Sequence, residues 1–260
     1  TISKLLNEYG KNIPVRFGLT GTLPKEPADA LAIKIAVGDV RYTIPAHKLI
    51  KQQYLSDLKI DIVQLETNLK QEYEKHIFDT PTSTISYKDF KEQYIPDFSA
   101  EQRYVQADNA RIDWIAKDIE QRPGNTLCLV SNIKFGKKLT KAIDGAIFLY
   151  GKDEMKVRKQ VYELFKDNDN IKVIANLQIA STGLNIPRIF NLYLIDIGKS
   201  FVRTIQSIGR GLRKAHDKDF VNVVDICSDL KYSNRHMKNR MKYYTEAKYP
   251  FEHRKVKYKH

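Results

Sequence analysis

Apolar positions along this chain follow three rhythms, and each predicts a different kind of structure. Between residues 107 and 230, short continuous apolar runs alternate with segments whose apolar residues return every three or four positions. Ile112, Ile115, Ala116 and Ile119, flanked by Trp114, make one helical stripe, and residues 135–143 and 154–166 predict two more helices. The runs 126–130, 146–150, 171–175, 192–197 and 221–226 predict strands. Strands alternating with helices imply an α/β fold, a parallel sheet with helices on both faces. Ligands of such sheets bind beyond the carboxyl ends of the strands, where Ser131, Gly151, Asn176 and Gly198 stand.

Upstream the rhythm is irregular. Residues 2–9 have helical spacing, and residues 15–19 predict a short strand running into a turn at Thr20-Gly21-Thr22. A lone strand without partners nearby is not a fold. After a mixed helix and the stretch 39–44, the alternation over residues 59–65 predicts a strand half exposed on a sheet. Residues 67–106 are polar and tyrosine-rich, punctuated by Pro81 and Pro96, and read as an insertion of short helices. Its aromatics Tyr73, Phe78, Tyr87, Phe90, Tyr94 and Phe98 have the chemistry to stack bases, although local packing is their commoner use. The last thirty residues change again. They hold ten Lys or Arg against Glu246 and Glu252, with tyrosines interleaved and Arg235, Lys238, Arg240 and Lys242 on a predicted helix.

Composition narrows the class. The 260 residues suit one large domain or two ordinary ones, and 42% are hydrophobic, enough to build a core. The net charge is +13, of which the last thirty residues supply +8, so a polyanion, nucleic acid first, is the expected partner. Cys128 and Cys227 each lie inside an apolar run, which predicts buried thiols of a reducing compartment and neither a metal site nor a disulfide framework. No apolar run reaches the roughly 18 residues of a membrane span, and no secretory signal is present.

Two blocks carry the chemistry. Residues 206–214 read Gln206-Ser207-Ile208-Gly209-Arg210-Gly211-Leu212-Arg213-Lys214. On a helix Arg210 and Arg213 share a face and can grip one phosphate with bidentate, charge-assisted hydrogen bonds. A solvated basic helix start is the plain alternative. Upstream, residues 173–187 end in Ser181-Thr182-Gly183-Leu184-Asn185-Ile186-Pro187. Together these blocks resemble motifs V and VI of superfamily 2 helicases, and residues 18–23, Gly-Leu-Thr-Gly-Thr-Leu, are similar to motif III. The order and spacing resemble the C-terminal half of that superfamily, in particular the phage UvsW type of branched-DNA helicase, from about residue 13 to 230. XPB and the type I and III restriction translocases are more distant likenesses.

The resemblance implies that residues 107–230 are the second of two RecA-like domains and that residues 1–45 close a preceding one. Residues 46–106 would be the crossing with its helical insertion, and 231–260 a basic aromatic tail. It implies ATP with Mg2+ as cofactors, both held mainly by the preceding domain, since no P-loop or acidic box is found. Gly198-Lys199-Ser200 is a near match to a P-loop ending, but its first glycine would fall at Tyr193 in a strand. Asp225 superficially resembles a metal-binding aspartate at a strand end and reads better as structural. Alone, therefore, this chain is expected to be inactive.

By resemblance, Arg213 is the arginine finger with Arg210 beside it, and Gln206 positions the water or γ-phosphate. Gly183 and Asn185 approach the nucleotide, although many relatives carry Asp where Asn185 stands. Ser131, Asn132, Lys134, Arg158, Ser181 and Thr182 meet the nucleic-acid backbone, joined by Arg235, Lys238 and Lys242 of the tail. Thr20 and Thr22 couple nucleotide state to strand grip. The implied partners are DNA, branched or linear, and the preceding domain, in the cytoplasm, the host's if the protein is phage-encoded. A non-enzymatic basic DNA-binding module with a RecA-like fold and an RNA helicase remain the alternatives.

Overall fold

A computed structural model describes residues 6, 8–10, 12–20, 26–150, 155–177, 188–198, 208–209 and 212–258, without the side chains of 155–158. The described residues include seven strands: β1 (Asp57–Glu66), β2 (Thr126–Val130), β3 (Ile147–Leu149), β4 (Lys172–Asn176), β5 (Asn191–Ile195), β6 (Phe220–Ser228) and β7 (Phe251–Lys257). All pair in parallel, in the order β3-β4-β2-β5-β6-β1-β7. The helices among the described residues are α1 (Pro27–Val37), α2 (Ala46–Lys51), α3 (Leu69–Asp79), α4 (Tyr87–Tyr94), α5 (Phe98–Ala107), α6 (Asn109–Glu120), α7 (Ile133–Lys141), α8 (Met155–Asp167) and α9 (Lys231–Glu246). The predicted α/β class is the fold observed.

Alternation within the strands sends side chains to two separate cores. Leu58, Ile60 and Ile62 of β1, Leu127 and Leu129 of β2, and Val221 and Val223 of β6 face Val161 and Phe165 of α8 and Met237 and Tyr244 of α9. On the opposite face Val63, Leu65, Cys128, Val130, Val224 and Ile226 pack against Ile112, Ile115 and Ile119 of α6 and Phe135 and Leu139 of α7. Both cysteines are buried and free, and burial pushes both thiols upward in pKa. Gly136 lets α7 lie against β3, because a Cβ there would stand 2.4 Å from the Phe148 ring.

Three expectations are corrected. The strand over residues 59–65, expected half exposed in an interdomain crossing, lies inside the sheet between β6 and β7. Its amino half shows Lys59 and Asp61 at the surface, which produces the alternation, while residues 62–65 are buried on both faces. The C-terminal segment, expected as a helical tail, forms α9 and then β7, which joins the sheet beside β1. Its basic residues fit there because β7 is an edge strand, and charged side chains keep an edge from pairing further. Residues 15–19 form no strand. They lack a ladder partner, and Phe17 and Leu19 are 90% and 100% exposed.

The helical insertion is α3 to α5, built around Leu69, Phe90, Ile95, Val105 and Leu230. Tyr73 and Tyr94 pack their rings on Phe90 at 5.4 and 4.9 Å, so most of its aromatics are spent on local packing. The insertion also finishes α9. Leu230 offers no side-chain cap, and Glu101 of α5 reaches over instead, accepting from Tyr232 N at 2.8 Å and from Ser233 N and Oγ at 2.6 Å each.

A buried polar cluster ties α9 to the sheet. Asp225 of β6 accepts from Arg240 Nε and Nη2 at 2.8 and 2.7 Å and from Tyr244 OH at 2.8 Å. The third guanidinium nitrogen, Nη1, donates to Gly198 O at 2.8 Å, and Gly198 takes φ 65°, a conformation glycine adopts without penalty. Asp225 is therefore structural, and Arg240 is buried, not part of a nucleic-acid surface. Removing one member leaves a buried charge uncompensated. Arg240→Ala is expected to destabilise the chain by about 3–5 kcal/mol, measured by urea denaturation; a loss below about 1 kcal/mol would show that the pair contributes little net stability.

Candidate functional site

The residues singled out from the sequence separate onto two edges of the sheet. At the carboxyl edge β2 leads into Ser131 and Asn132, both exposed. Asn132 caps α7: its Oδ1 accepts from Lys134 N at 2.8 Å and Phe135 N at 3.2 Å. Asn176, at the end of β4, donates from Nδ2 to Ser131 O at 3.2 Å and holds the two strand ends together. Lys134 is exposed on the first turn of the same helix, whose partly positive end also favours an anion. Lys199 and Ser200 of the P-loop near match lie outside the described residues, and Tyr193, where its first glycine would fall, is buried in β5.

The first turn of α9 leaves the carboxyl end of β6, two strand spacings from β2, roughly 10 Å along this edge. Lys231, Arg235, Lys238 and Lys242 follow each other at intervals of four, three and four residues, so they form one exposed stripe about 16 Å long. Arg235 holds its guanidinium 5.1 Å from the Tyr232 ring centre, which orients it along the helix surface.

Arg213 lies at the other edge. Leu212 N still donates to Ile208 O at 3.1 Å, closing a helical turn, and Arg213 follows that turn, exposed and no longer helical. The expectation of Arg213 on a helix face is thus corrected. Its surroundings are the amino ends of β1 and β6. Ser56 N donates to Leu212 O at 2.8 Å, and Asp57 N donates to Asp219 O at 2.8 Å. Lys218, buried, donates from Nζ to Arg213 O at 2.7 Å, where a tight turn (Ala215 bridged to Lys218) brings it back under the chain. Two nearby acids in the sequence, Asp225 and Asp217, are engaged by other arginines. Arg240 holds Asp225, and Arg188 holds Asp217 through Nε at 3.0 and 3.1 Å, keeping that carboxylate below its usual pKa.

Arg188 follows Pro187 directly and does more than bind Asp217. Its Nη1 donates to Lys166 O and Asn168 O at 3.0 and 3.1 Å, finishing the carbonyl end of α8. Neither Arg188 nor Lys218 stood out in the sequence, since each acts through partners that only folding brings to it. The adjacency of Arg188 to the Gly-Leu-Asn-Ile-Pro block was the one available signal. Arg210, Gln206, Gly183, Asn185, Ser181, Thr182 and Thr22 lie outside the described residues, as does the side chain of Arg158 on α8. Thr20 is exposed on the strandless N-terminal segment.

This arrangement can be compared with known proteins. Residues 110–215 match the family described as helicase conserved C-terminal domain. Over that stretch the chain is similar to helicase C-terminal domains. The chain is 22% identical over 239 residues to the ATP-dependent DNA helicase uvsW of Enterobacteria phage T4, covering 89% of this chain and 44% of that protein. It is 26% identical over 223 residues to putative helicase 22 of a Sulfolobus islandicus filamentous virus, covering 82% and 37%. The crystal structure of T4 UvsW superposes with a TM-score of 0.59 at 20% identity, over 79% of this chain and 42% of that one. The chain therefore spans less than half the length of these relatives, and it resembles the C-terminal half of a superfamily 2 helicase. The sheet extends beyond the matched residues, since β1, β6 and β7 complete it. No helix among the described residues is long and apolar enough to cross a membrane.

Burial lowers the Lys218 pKa to about 8 from an ordinary 10.5, against an opposing pull from Asp217. The unfolded chain then holds this proton more tightly than the fold does. Below pH 8 the fold carries the full cost of the buried charge, and the cost disappears as pH rises from 8 to 10.5. Wild type should gain stability relative to Lys218→Met by about 1.4 kcal/mol per pH unit across that window. Urea denaturation of both at pH 7, 9 and 10 checks this, and a constant difference would mean that Lys218 titrates as an ordinary lysine.

Proposed function

We propose that this chain is the second motor domain of an ATP-driven DNA helicase or translocase, with its two chemical roles divided between the edges of the sheet. The observation that carries the reading is the position of Arg213. It is exposed at the amino edge while its main chain is held from β1 and by Lys218. A guanidinium leaving such an anchored point suits a γ-phosphate presented by a separate domain. ATP, when bound between the domains, supplies the phosphoryl group whose developing charge the guanidinium stabilises. By resemblance, the nucleotide role is shared with Arg210, Gln206, Gly183 and Asn185. Among the described residues no three His, Cys, Asp or Glu side chains come together.

The carboxyl edge carries the nucleic-acid track. Ser131, Asn132 and Lys134, just after β2 and at the start of α7, meet the strand's phosphates, a role that the resemblance extends to Arg158, Ser181 and Thr182. The stripe Arg235, Lys238 and Lys242 extends the track along α9. DNA is the substrate favoured by the likeness to a DNA helicase of phage T4. β6 alone is roughly 26 Å long, so the edges communicate through the sheet and its loops and not by contact. Residues 1–45 belong with a preceding RecA-like domain. Support comes from their large exposed apolar side chains, Val15, Phe17, Leu19, Ile35 and Tyr42 among them, an array normally covered by a partner surface. Thr20 and Thr22 would then couple the two domains.

In the complete protein Arg213→Lys or Arg213→Ala should reduce ATP hydrolysis by roughly 10³-fold or more while ATP and nucleic-acid binding persist. Lysine keeps the charge and loses the fork, so even this variant should be impaired. Wild-type kcat with a lowered melting temperature would instead make Arg213 structural. Replacing Arg235, Lys238 and Lys242 together by alanine should weaken nucleic-acid binding. On duplex DNA it should also flatten the dependence of log K on log salt by about 0.9 for each phosphate no longer neutralised. An unchanged slope would leave the stripe as a solvated face.

A further inference from the structure

We infer that Lys218 is a positioning residue for Arg213, fixing the point from which the finger guanidinium departs. This rests on the reading of Arg213 given above. An arginine side chain carries about 2 kcal/mol of rotamer entropy, and a finger built on a loose turn adds main-chain freedom to that cost. The chain around Arg213 lacks that freedom. Leu212 is buried in the core, its carbonyl is held by Ser56 N, and its amide closes the turn on Ile208 O. The next carbonyl, that of Arg213, receives the Lys218 ammonium at 2.7 Å, with Ser56 Oγ a distant second donor at 3.5 Å.

The same turn already has a purely structural anchor, and it is a different residue. Arg188 binds Asp217 and the last carbonyls of α8, tying the turn to the rest of the domain through bonds that do not involve the Arg213 carbonyl. Asp219 O is tied to β1 through Asp57 N. Lys218, unlike Arg188, donates to the Arg213 carbonyl itself. An ammonium there is costly to bury, and its depressed pKa records that cost. A charge-assisted donor offers in return a bond about twice as strong as a neutral one, aimed at the carbonyls where a helical turn presents its negative end.

The test uses the complete protein and nucleic-acid-stimulated ATP hydrolysis, with melting temperature measured on the same preparations. Lys218→Met should lower kcat by roughly 10- to 100-fold, the scale of an ångström-level misplacement, with KM for ATP changed less than about twofold. Lys218→Gln, which keeps a neutral donor, should recover part of the loss. In an Arg213→Lys background, followed in single turnovers, Lys218→Met should add little, because the group it positions is already gone. If Lys218→Met does not fold, Lys218→Gln carries the same comparison. Melting temperature lowered with wild-type kcat, or losses that multiply in the double variant, would overturn the positioning role and leave Arg213 standing. Wild-type turnover in Arg213→Ala would instead overturn the finger, and this proposal with it.

Discussion

A strand inside a parallel sheet must satisfy its main-chain groups on both sides, and β1 is where that requirement assembles this protein. Residues 57–65 pair with 220–228 on one side, and residues 60–66 pair with 251–257 on the other. The start of the sheet thereby becomes the neighbour of two segments from the far end of the chain. The α3–α5 insertion is placed over the carboxyl edge because it follows β1. The turn bearing Arg213 is placed at the amino edge because Ser56 and Asp57, at the start of β1, bind Leu212 O and Asp219 O. Without β1 the sheet would end at β6, and the turn bearing Arg213 would lose its anchor.

The buried ions act as rivets at points where the hydrophobic effect gives no direction. Asp225 receives Arg240 and Tyr244, and so fixes how α9 lies on the sheet and where its basic stripe faces. Glu101 fixes the start of the same helix from the insertion. Arg188 ties the end of α8 to the turn that bears Asp217. Apolar packing tolerates sliding of one element on another, whereas a bidentate carboxylate–guanidinium pair has one good geometry. The cost of desolvating these charges is repaid in orientation more than in net stability.

The division of the sheet into two edges gives the proposed motor a simple layout. One edge grips a strand through side chains and helix ends, and the other presents a guanidinium toward a second domain. In that proposed layout, stepping follows from opening and closing of a cleft between two domains.

Much of the fold was legible in the sequence. The alternation of strands and helices over residues 107–230 and the helix stripe Ile112–Ile115–Ile119 depend on local periodicity, which survives in a linear reading. The Gln206–Arg213 and Ser181–Pro187 blocks were legible for the same reason, as contiguous patterns. Less was readable at residues 57–66 and 251–257. Lys59, Asp61 and the run Arg254-Lys255 disguised an interior strand and an edge strand as a surface crossing and a tail. Strand neighbours distant in sequence leave no local trace. The edge on which Arg213 stands, the burial of Arg240 amid a basic segment, and the grip of Lys218 on the Arg213 carbonyl were decided by tertiary structure alone. Each depends on a hydrogen bond whose partner is supplied only when β1, β6 and the returning turn have come together.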